Sequence, residues 1–210
     1  VLSLARANMI PDDNVVEFDA SRQTTRISAN VSGFLGTTRV ALNDNLLERT
    51  SKPEILAVLG HEMGHYVLNP GLRLIIYMTL ILGCGFWVVH RLFDRALLRW
   101  GPRFGLEGRA DPAALPLALA ILSLFFFFAT PLTNSVVRQA EAEADAYGLN
   151  AAQEPNGFAM AAMRLSTYRK IKPGALEEII FYDHPSGYAR VHRSMIWLQE
   201  HQQSGMGNRE

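Results

Sequence analysis

Residues 55–65 read ILAVLGHEMGH, and this stretch decides how the rest of the chain is interpreted. Its apolar side chains recur at helical spacing, and Ser51 with Glu54 forms a capping-box pattern just before them. The pattern predicts a helix over residues 51–68 that stops before Pro70. Because so many of its side chains are apolar, the helix is expected to have a buried face.

Two histidines of this helix, His61 and His65, lie four residues apart and therefore share one face. Two imidazoles at this spacing can bind one Zn²⁺, and Glu62 beside them can take a proton from a water that the metal activates. Catalytic zinc usually has three protein ligands and keeps one position open. We therefore predict one Zn²⁺ per chain, with a third ligand supplied from another segment, rather than two surface histidines on an amphipathic helix.

The third ligand is expected in residues 138–145, which read RQAEAEAD. On a helix Glu141 and Asp145 share a face, whereas Glu143 points roughly to the opposite side. Spacing alone does not choose between the two glutamates. Histidine ligands commonly donate their free N–H to a carboxylate, so a Glu ligand with an Asp on the same face favours Glu141 as the ligand and Asp145 as the supporting acid.

Two apolar runs lie between these motifs. Residues 74–89 (LIIYMTLILGCGFWVV) contain no charged side chain, and residues 113–137 contain no Asp, Glu, Lys, Arg or His. Sixteen helical residues span about 24 Å, and Arg73 and Arg91 can extend this reach by snorkelling. The second run is long enough to cross a bilayer with some tilt. We predict a transmembrane helical hairpin over residues 72–137 rather than two buried core helices.

The first fifty residues have a different pattern. Val15–Phe18 and residues 39–42 are short, β-branched or alternating, which predicts a small antiparallel sheet. The predicted fold class is therefore mainly α with a small antiparallel β-sheet and a transmembrane helical hairpin. Further helices are predicted over 136–149, 157–170 and 188–202. The predicted parts are residues 1–71 and 138–203 as the two portions of the catalytic domain, 72–137 as the hairpin, and 204–210 as a frayed tail.

Composition narrows the function classes. The 210 residues carry 20 basic and 20 acidic side chains, so no basic surplus supports a nucleic-acid partner, and none is expected. A single cysteine, Cys84, excludes an intramolecular disulfide and a Cys-based zinc cluster. The hydrophobic fraction of 49% averages two very apolar runs with a mixed-charge remainder. The chain begins at Val1 without Met, so we expect further N-terminal segments.

The order of the motifs resembles the membrane-embedded zinc metalloproteases typified by CAAX prenyl protease 1, and their bacterial heat-shock-protease relatives. The resemblance covers about residues 22–193 and has the gluzincin pattern of HExxH plus ExxxD. Residues 55–65 are similar to the zinc helix of the family. Residues 134–145 (NSVVRQAEAEAD) resemble its second motif, which puts the third ligand at Glu141 and the supporting acid at Asp145.

The dipeptide His184-Pro185, followed by Arg190, resembles a family His-Pro…Arg element near the zinc. For the oxyanion of the tetrahedral intermediate, His184 is the first candidate donor and Arg190 the second. Two alternatives stay open at this point: His184 is a turn residue before proline, and Arg190 pairs with Asp145 or Glu141.

Residues 32–34 followed by 38–42 (TRVAL) look like the substrate-edge strand of the family. A substrate would then bind extended along residues 39–43 and add a strand through backbone hydrogen bonds. The family often has Asn-Ala-Tyr where this chain has Ser-Ala-Asn at 28–30, and turn residues beside Gly33 are the alternative interpretation. The residues predicted to bind substrate are Ser28, Asn30, Ser32, Arg39, Val40 and Ala41.

The predicted function is a zinc-dependent membrane metalloendopeptidase that cleaves extended segments of peptides or membrane proteins near the lipid bilayer. A membrane scaffold or binding protein with a structural metal, and a soluble metallopeptidase with packed apolar runs, are the alternatives. The resemblance implies the bacterial inner membrane with the catalytic side facing the cytoplasm. The arginines of the connector, residues 91–112, favour instead that the connector is cytoplasmic.

Overall fold

The computed structural model describes residues 2–7, 14–33, 37–166 and 169–207. The chain forms two compact units. Unit 1 contains Val1–Pro70, Arg138–Glu178 and His184–Glu210, and unit 2 contains Gly71–Val137 and Ile179–Asp183.

Helices dominate the described residues, and the strands are confined to the N-terminal part of unit 1. In chain order the elements are α1 (Leu2–Ala7), β1 (Val15–Phe18), β2 (Ala29–Ser32), β3 (Arg39–Asn43), α2 (Asp44–Arg49), α3 (Lys52–Leu68), α4 (Gly71–Phe104), α5 (Leu115–Ala152), α6 (Pro155–Leu165), α7 (Ala175–Phe181) and α8 (Gly187–Gly207).

The sheet has the order β1-β3-β2, with β3 in the centre. The mainly helical class with a small sheet is confirmed, but the expectation of a purely antiparallel sheet is wrong. β1 pairs with β3 in parallel, with Val15 opposite Val40, and β2 pairs with β3 in antiparallel fashion, with Ala29 opposite Leu42. Parallel strands need a crossover connection, and here the crossover between β1 and β3 itself supplies β2.

The predicted helix after Ser51 forms as α3, and its capping box is present. The carboxylate of Glu54 accepts hydrogen bonds from the backbone N of Ser51 at 2.8 Å and from its hydroxyl at 2.7 Å. Leu59 and Met63 are fully buried in the core of unit 1. The helix ends at Asn69, which adopts a left-handed φ of 42°. On its buried side α3 packs against β2 and α6.

The C-terminal helices differ from their predicted bounds. α6 ends at Leu165, short of the predicted 170, and residues 167–168 of that prediction lie outside the described residues. α8 continues through residues 204–207 of the predicted tail, and residues 208–210 lie outside the described part, so the fraying of the tail stays a prediction. α7 was not predicted from the sequence.

Unit 2 contains α4 and the first part of α5, each long and apolar enough to cross a membrane. Their large side chains are mostly exposed: the relative accessibility of Phe127 is 71% and that of Phe128 is 72%. Gly85 of α4 lies against the ring of Phe125, where a Cβ would come within 2.9 Å of the ring. Apolar surface exposed on this scale is suited to lipid rather than to water.

Candidate active site

Backbone contact between α3 and the C-terminal part of α5 determines where the site lies. A Cβ on Gly64 would lie 2.8 Å from the carbonyl oxygen of Ala144, and a Cβ on Gly148 would lie 2.7 Å from the backbone N of His61. A Cβ on Gly60 would lie 2.9 Å from the carbonyl oxygen of Gly148. Small residues four apart on both helices therefore permit an approach that larger side chains would prevent.

This contact brings together the three predicted metal ligands. Nε2 of His61 lies 3.2 Å from Nε2 of His65. The carboxylate of Glu141 spans the two rings, with one oxygen 3.4 Å from Nε2 of His61 and the other 3.4 Å from Nε2 of His65. Glu143 lies elsewhere, where its carboxylate accepts a hydrogen bond from Gln139 at 3.2 Å.

These separations fit a bound zinc ion. Zinc–nitrogen and zinc–oxygen bonds of about 2.0–2.2 Å in a tetrahedron imply ligand–ligand distances of about 3.3–3.6 Å. The three distances in the cluster fall in or next to this range. Two imidazole nitrogens that face each other beside a carboxylate also have the donor chemistry that a divalent transition metal prefers. The residues present therefore fit the metal.

A buried carboxylate supports the first histidine from behind. Asp145 is fully buried, and its Oδ1 lies 2.8 Å from Nδ1 of His61. The two groups are close enough for a hydrogen bond, but their relative angle is not that of a well-aligned one. Arg190 donates to both oxygens of Asp145, at 3.0 Å from Nε and at 2.6 Å from Nη2. This contact orients the ring of His61 so that Nε2 faces His65 and Glu141.

The charges of the cluster hold one another in the ionised form. Burial opposes protonation of His61, but Asp145 and Glu141 outweigh it and raise the pKa of His61 to about 9. Burial likewise opposes ionisation of Glu141, yet His61 and His65 hold the pKa of Glu141 well below its usual range. A metal ion held by this cluster would therefore compete with a proton for His61.

The pKa of Glu62 is shifted in the opposite direction from that of Glu141. Burial raises the pKa of Glu62, and the neighbouring His61 and His65 offset that rise only in part. A carboxylate whose pKa is raised towards neutrality is suited to accept a proton and to return it. Among the acids of the cluster, Glu62 is the one with this property.

The two candidate oxyanion donors have different positions. Nε2 of His184 lies 3.4 Å from Oε2 of Glu141, and the side chain is 46% exposed, so the imidazole lies at the open rim of the cluster. Arg190 pairs with Asp145, which accepts hydrogen bonds from its Nε and Nη2, as one of the alternative interpretations stated. The role of Arg190 as an oxyanion donor stays a prediction.

The predicted substrate strand also needs correction. β3 is paired with β2 from Arg39 onward and with β1 from Val40 onward, so Val40 and Ala41 cannot accept an added strand. Val40 and Ala41 are buried as well. Residues 34–36 of the predicted edge motif lie outside the described residues. Four of the predicted substrate residues are exposed: Arg39 at the start of β3, Asn30 and Ser32 on β2, and Ser28 directly before β2.

The sequence reasoning missed the small-residue contact and β2. The signal for the contact was present, since Gly60 and Gly64 recur at a spacing of four and so do Ala144 and Gly148. The packing of Arg190 over the ring of Phe158, at 5.1 Å, had no local signal.

Comparison with known proteins gives matches over most of the chain. Residues 1–195 match the family described as Peptidase family M48. The chain is 34% identical over 193 residues to "Uncharacterized metalloprotease YhfN" of Bacillus subtilis (strain 168), which covers 91% of this chain and 45% of that protein. It is 28% identical over 144 residues to "CAAX prenyl protease 1 homolog" of Dictyostelium discoideum, covering 65% of this chain and 32% of that protein.

A solved structure has the same fold. The structure described as S. mikatae Ste24p superposes with a TM-score of 0.62 at 20% identity, over 90% of this chain and 48% of that chain. The chain therefore spans about half the length of these relatives or less.

Proposed function

Because this chain belongs to Peptidase family M48, we propose that it is a zinc-dependent endopeptidase that hydrolyses extended peptide segments close to a membrane. One observation carries the proposal. Ligand atoms of His61, His65 and Glu141 all lie within 4.8 Å of one another, and Glu62 is adjacent on the same helix. Family membership also confirms the resemblance found in the sequence.

In the proposed reaction His61, His65 and Glu141 would hold Zn²⁺, which would polarise the scissile carbonyl and acidify a water molecule. Glu62 accepts the proton of the attacking water as the new C–O bond forms, and it passes this proton to the leaving amine as the peptide C–N bond then breaks. His184 donates an N–H to the oxygen on which negative charge develops.

Two residues act on this chemistry indirectly. Asp145 holds the ring of His61 from the side opposite the metal, and Arg190 balances the buried charge of Asp145. An unpaired carboxylate in this fully buried position would be costly, which supports a positioning role for the Asp145–Arg190 pair.

The substrate is proposed to lie along the outer edge of β2. Within the described residues this edge has no strand partner, and β2 packs against the metal-binding helix α3. Backbone hydrogen bonds to a strand edge select an extended conformation more than a sequence. The exposed Asn30 and Ser32 can add side-chain hydrogen bonds, with Ser28 just before the strand. Substrates are therefore expected to be extended segments of peptides or membrane proteins.

The exposed apolar helices of unit 2 support insertion in a lipid bilayer, because their large side chains have no protein partner to cover them within the described residues. The bacterial inner membrane, with the catalytic portion facing the cytoplasm, is part of the proposal and rests on the family resemblance alone.

The decisive variant is Glu62→Gln, which keeps the shape of the side chain and removes the base. We expect bound zinc to stay at one ion per chain while the rate of cleavage of a fluorescent peptide falls by about 10²–10⁴-fold. Zinc is measured by elemental analysis of the purified protein, and cleavage is followed under the same conditions.

Two further glutamates provide the matched controls. Glu141→Gln is expected to lose zinc and activity together, because it removes a charged ligand. Glu143→Gln makes the same chemical change two residues along α5 and is expected to keep both. Full cleavage by Glu62→Gln would refute the mechanism, and zinc loss in Glu143→Gln with zinc retained in Glu141→Gln would reverse the ligand assignment.

A further inference from the structure

The second half of α4 carries an arginine at every fourth position: Arg91, Arg95, Arg99 and Arg103. Side chains at this spacing lie on successive turns of one side of a helix, so they form a basic stripe. Arg91 is placed over the ring of Trp87, at 5.3 Å. Arg95 and Arg99 are exposed, and in the described part of the chain neither makes an ion pair or a hydrogen bond.

An apolar groove of about 670 Å³ lies beside these two arginines. It runs between α4 and the first part of α5, within unit 2, and Arg95 and Arg99 belong to its lining together with Leu92, Leu124, Phe125 and Phe128. This volume is in the range of pockets that hold ligands of drug size. Leu124 is 59% exposed and Phe128 is 72% exposed, so the apolar wall is open rather than packed.

The acidic residues near the stripe are committed to other partners. Asp94 is paired through both oxygens with Arg109. Asp111 accepts hydrogen bonds from the backbone N of Glu107 at 3.0 Å and of Ala113 at 2.9 Å. The groove therefore combines an apolar wall with two guanidinium groups for which unit 2 supplies no counterion in its described residues.

We propose that this groove binds one anionic phospholipid. Its acyl chain lies against Leu92, Leu124 and Phe128, and its phosphate pairs with Arg95 and Arg99. Guanidinium groups bind phosphate oxygens in bidentate fashion, and two of them favour a lipid with a net negative charge over a zwitterionic one. The inference rests on the membrane insertion included in the proposed function, and it does not depend on peptidase activity.

The test measures lipid selectivity of the full chain by native mass spectrometry. The protein is purified in detergent, mixed with equal amounts of phosphatidylglycerol and phosphatidylcholine of the same acyl chains, and the retained lipids are counted. We expect one retained phosphatidylglycerol per chain. In the double variant Arg95→Gln/Arg99→Gln the selectivity for phosphatidylglycerol is expected to fall roughly thirtyfold, at about one kcal/mol for each arginine.

Arg103→Gln is the control for position, because it removes one arginine charge from the same helix outside the groove. It is expected to keep the selectivity, and Arg95→Lys/Arg99→Lys is expected to keep most of it. The melting temperature and zinc content of each variant show that it is folded.

Equal retention of both lipids by the parent protein, or an equal loss in Arg103→Gln, would overturn the proposal. Recovery of the parent chain in the soluble fraction of cells would instead contradict the membrane insertion, so the two failures are distinguishable.

Discussion

Two helix surfaces of this chain are packed in opposite ways: that of α3 against the C-terminal part of α5 in unit 1, and that of α4 in unit 2. Where α3 meets the C-terminal part of α5, a Cβ on Gly148 would come within 2.7 Å of the backbone of His61. On α4, a Cβ on Gly83 would meet nothing within 4 Å. α3 and α4 are both rich in apolar residues. In the described residues α3 is held by close backbone contact with α5, whereas Gly83 of α4 has no such contact. Ligands that must converge on one metal ion need that rigidity, whereas a surface suited to lipid needs only apolar side chains.

The largest expected effect is that of Gly148→Ala, which breaks this contact at one atom. The added methyl group meets backbone atoms of Gly60 and His61, which cannot rotate away, so α3 and α5 must separate. We expect a loss of about 3 kcal/mol in the free energy of unfolding, or roughly 10 °C in melting temperature, together with loss of zinc. Thermal unfolding and elemental analysis measure the two effects.

The same substitution in the other region sharpens the comparison. Gly83→Ala is expected to leave zinc content unchanged and to keep or slightly raise the melting temperature, because alanine is the better helix former and nothing lies in its way. Equal losses in Gly83→Ala and Gly148→Ala would show that the backbone contact has no special importance.

Local patterns in the sequence predicted the helix that carries His61 and the strands at 15–18 and 39–42. These features depend on neighbours a few residues away: a capping box, helical spacing and alternation. The pairing of the strands did not follow, since the direction of β1 relative to β3 depends on the crossover between them. As a result, the open edge that was predicted for β3 belongs to β2 in the structure.

For the candidate site too, local sequence patterns predicted some residues but not the contacts between distant segments. The choice of Glu141 over Glu143, made from the position of Asp145 one turn further on, agrees with the geometry and stays a prediction until zinc is measured. The partner of Asp145 is Arg190, 45 residues away, and two assignments for this arginine were open. Only packing of α8 against the rest of unit 1 decides between them.

The second prediction concerns the carboxylate behind the metal site. Asp145→Asn keeps the shape of the side chain but removes the charge that supports His61 and balances Arg190. Loss of such a partner typically weakens metal binding by about 10–100-fold. We expect the zinc dissociation constant, measured by competition with a chelator, to rise by this factor while the fold is retained at room temperature.

Glu177→Gln is the control for that experiment. Glu177 also forms an ion pair, with Lys170 at 2.7 Å, in which Lys170 is exposed and Glu177 is half-buried, and both residues are far in sequence from the ligands. Its zinc affinity is expected to equal that of the parent. An unchanged dissociation constant in Asp145→Asn would remove the positioning role of the Asp145–Arg190 pair.

The smallest expected effect comes from comparing two ion pairs: one of unit 1 whose carboxylate is buried, and one of unit 2 whose two partners are both exposed. Glu54 is 3% exposed and binds Arg164 at 2.5 Å as well as Ser51, whereas Asp94 pairs with Arg109 at the surface. Glu54→Gln is expected to cost about 1–2 kcal/mol in the free energy of unfolding at neutral pH. Asp94→Asn is expected to cause no measurable change.

The pH dependence of this difference identifies its origin. Burial opposes ionisation of Glu54, but the hydrogen bonds from Ser51 and the charge of Arg164 outweigh it and hold the pKa of Glu54 below its usual value. A depressed pKa in the folded state stabilises the fold above the unfolded pKa, about 4.3, and this stabilisation is lost as pH falls through the folded pKa. The gap in melting temperature between parent and Glu54→Gln should therefore be constant near pH 7 and shrink below about pH 4. A gap that does not shrink would mean that shape, and not charge, makes Glu54 stabilising at the start of α3.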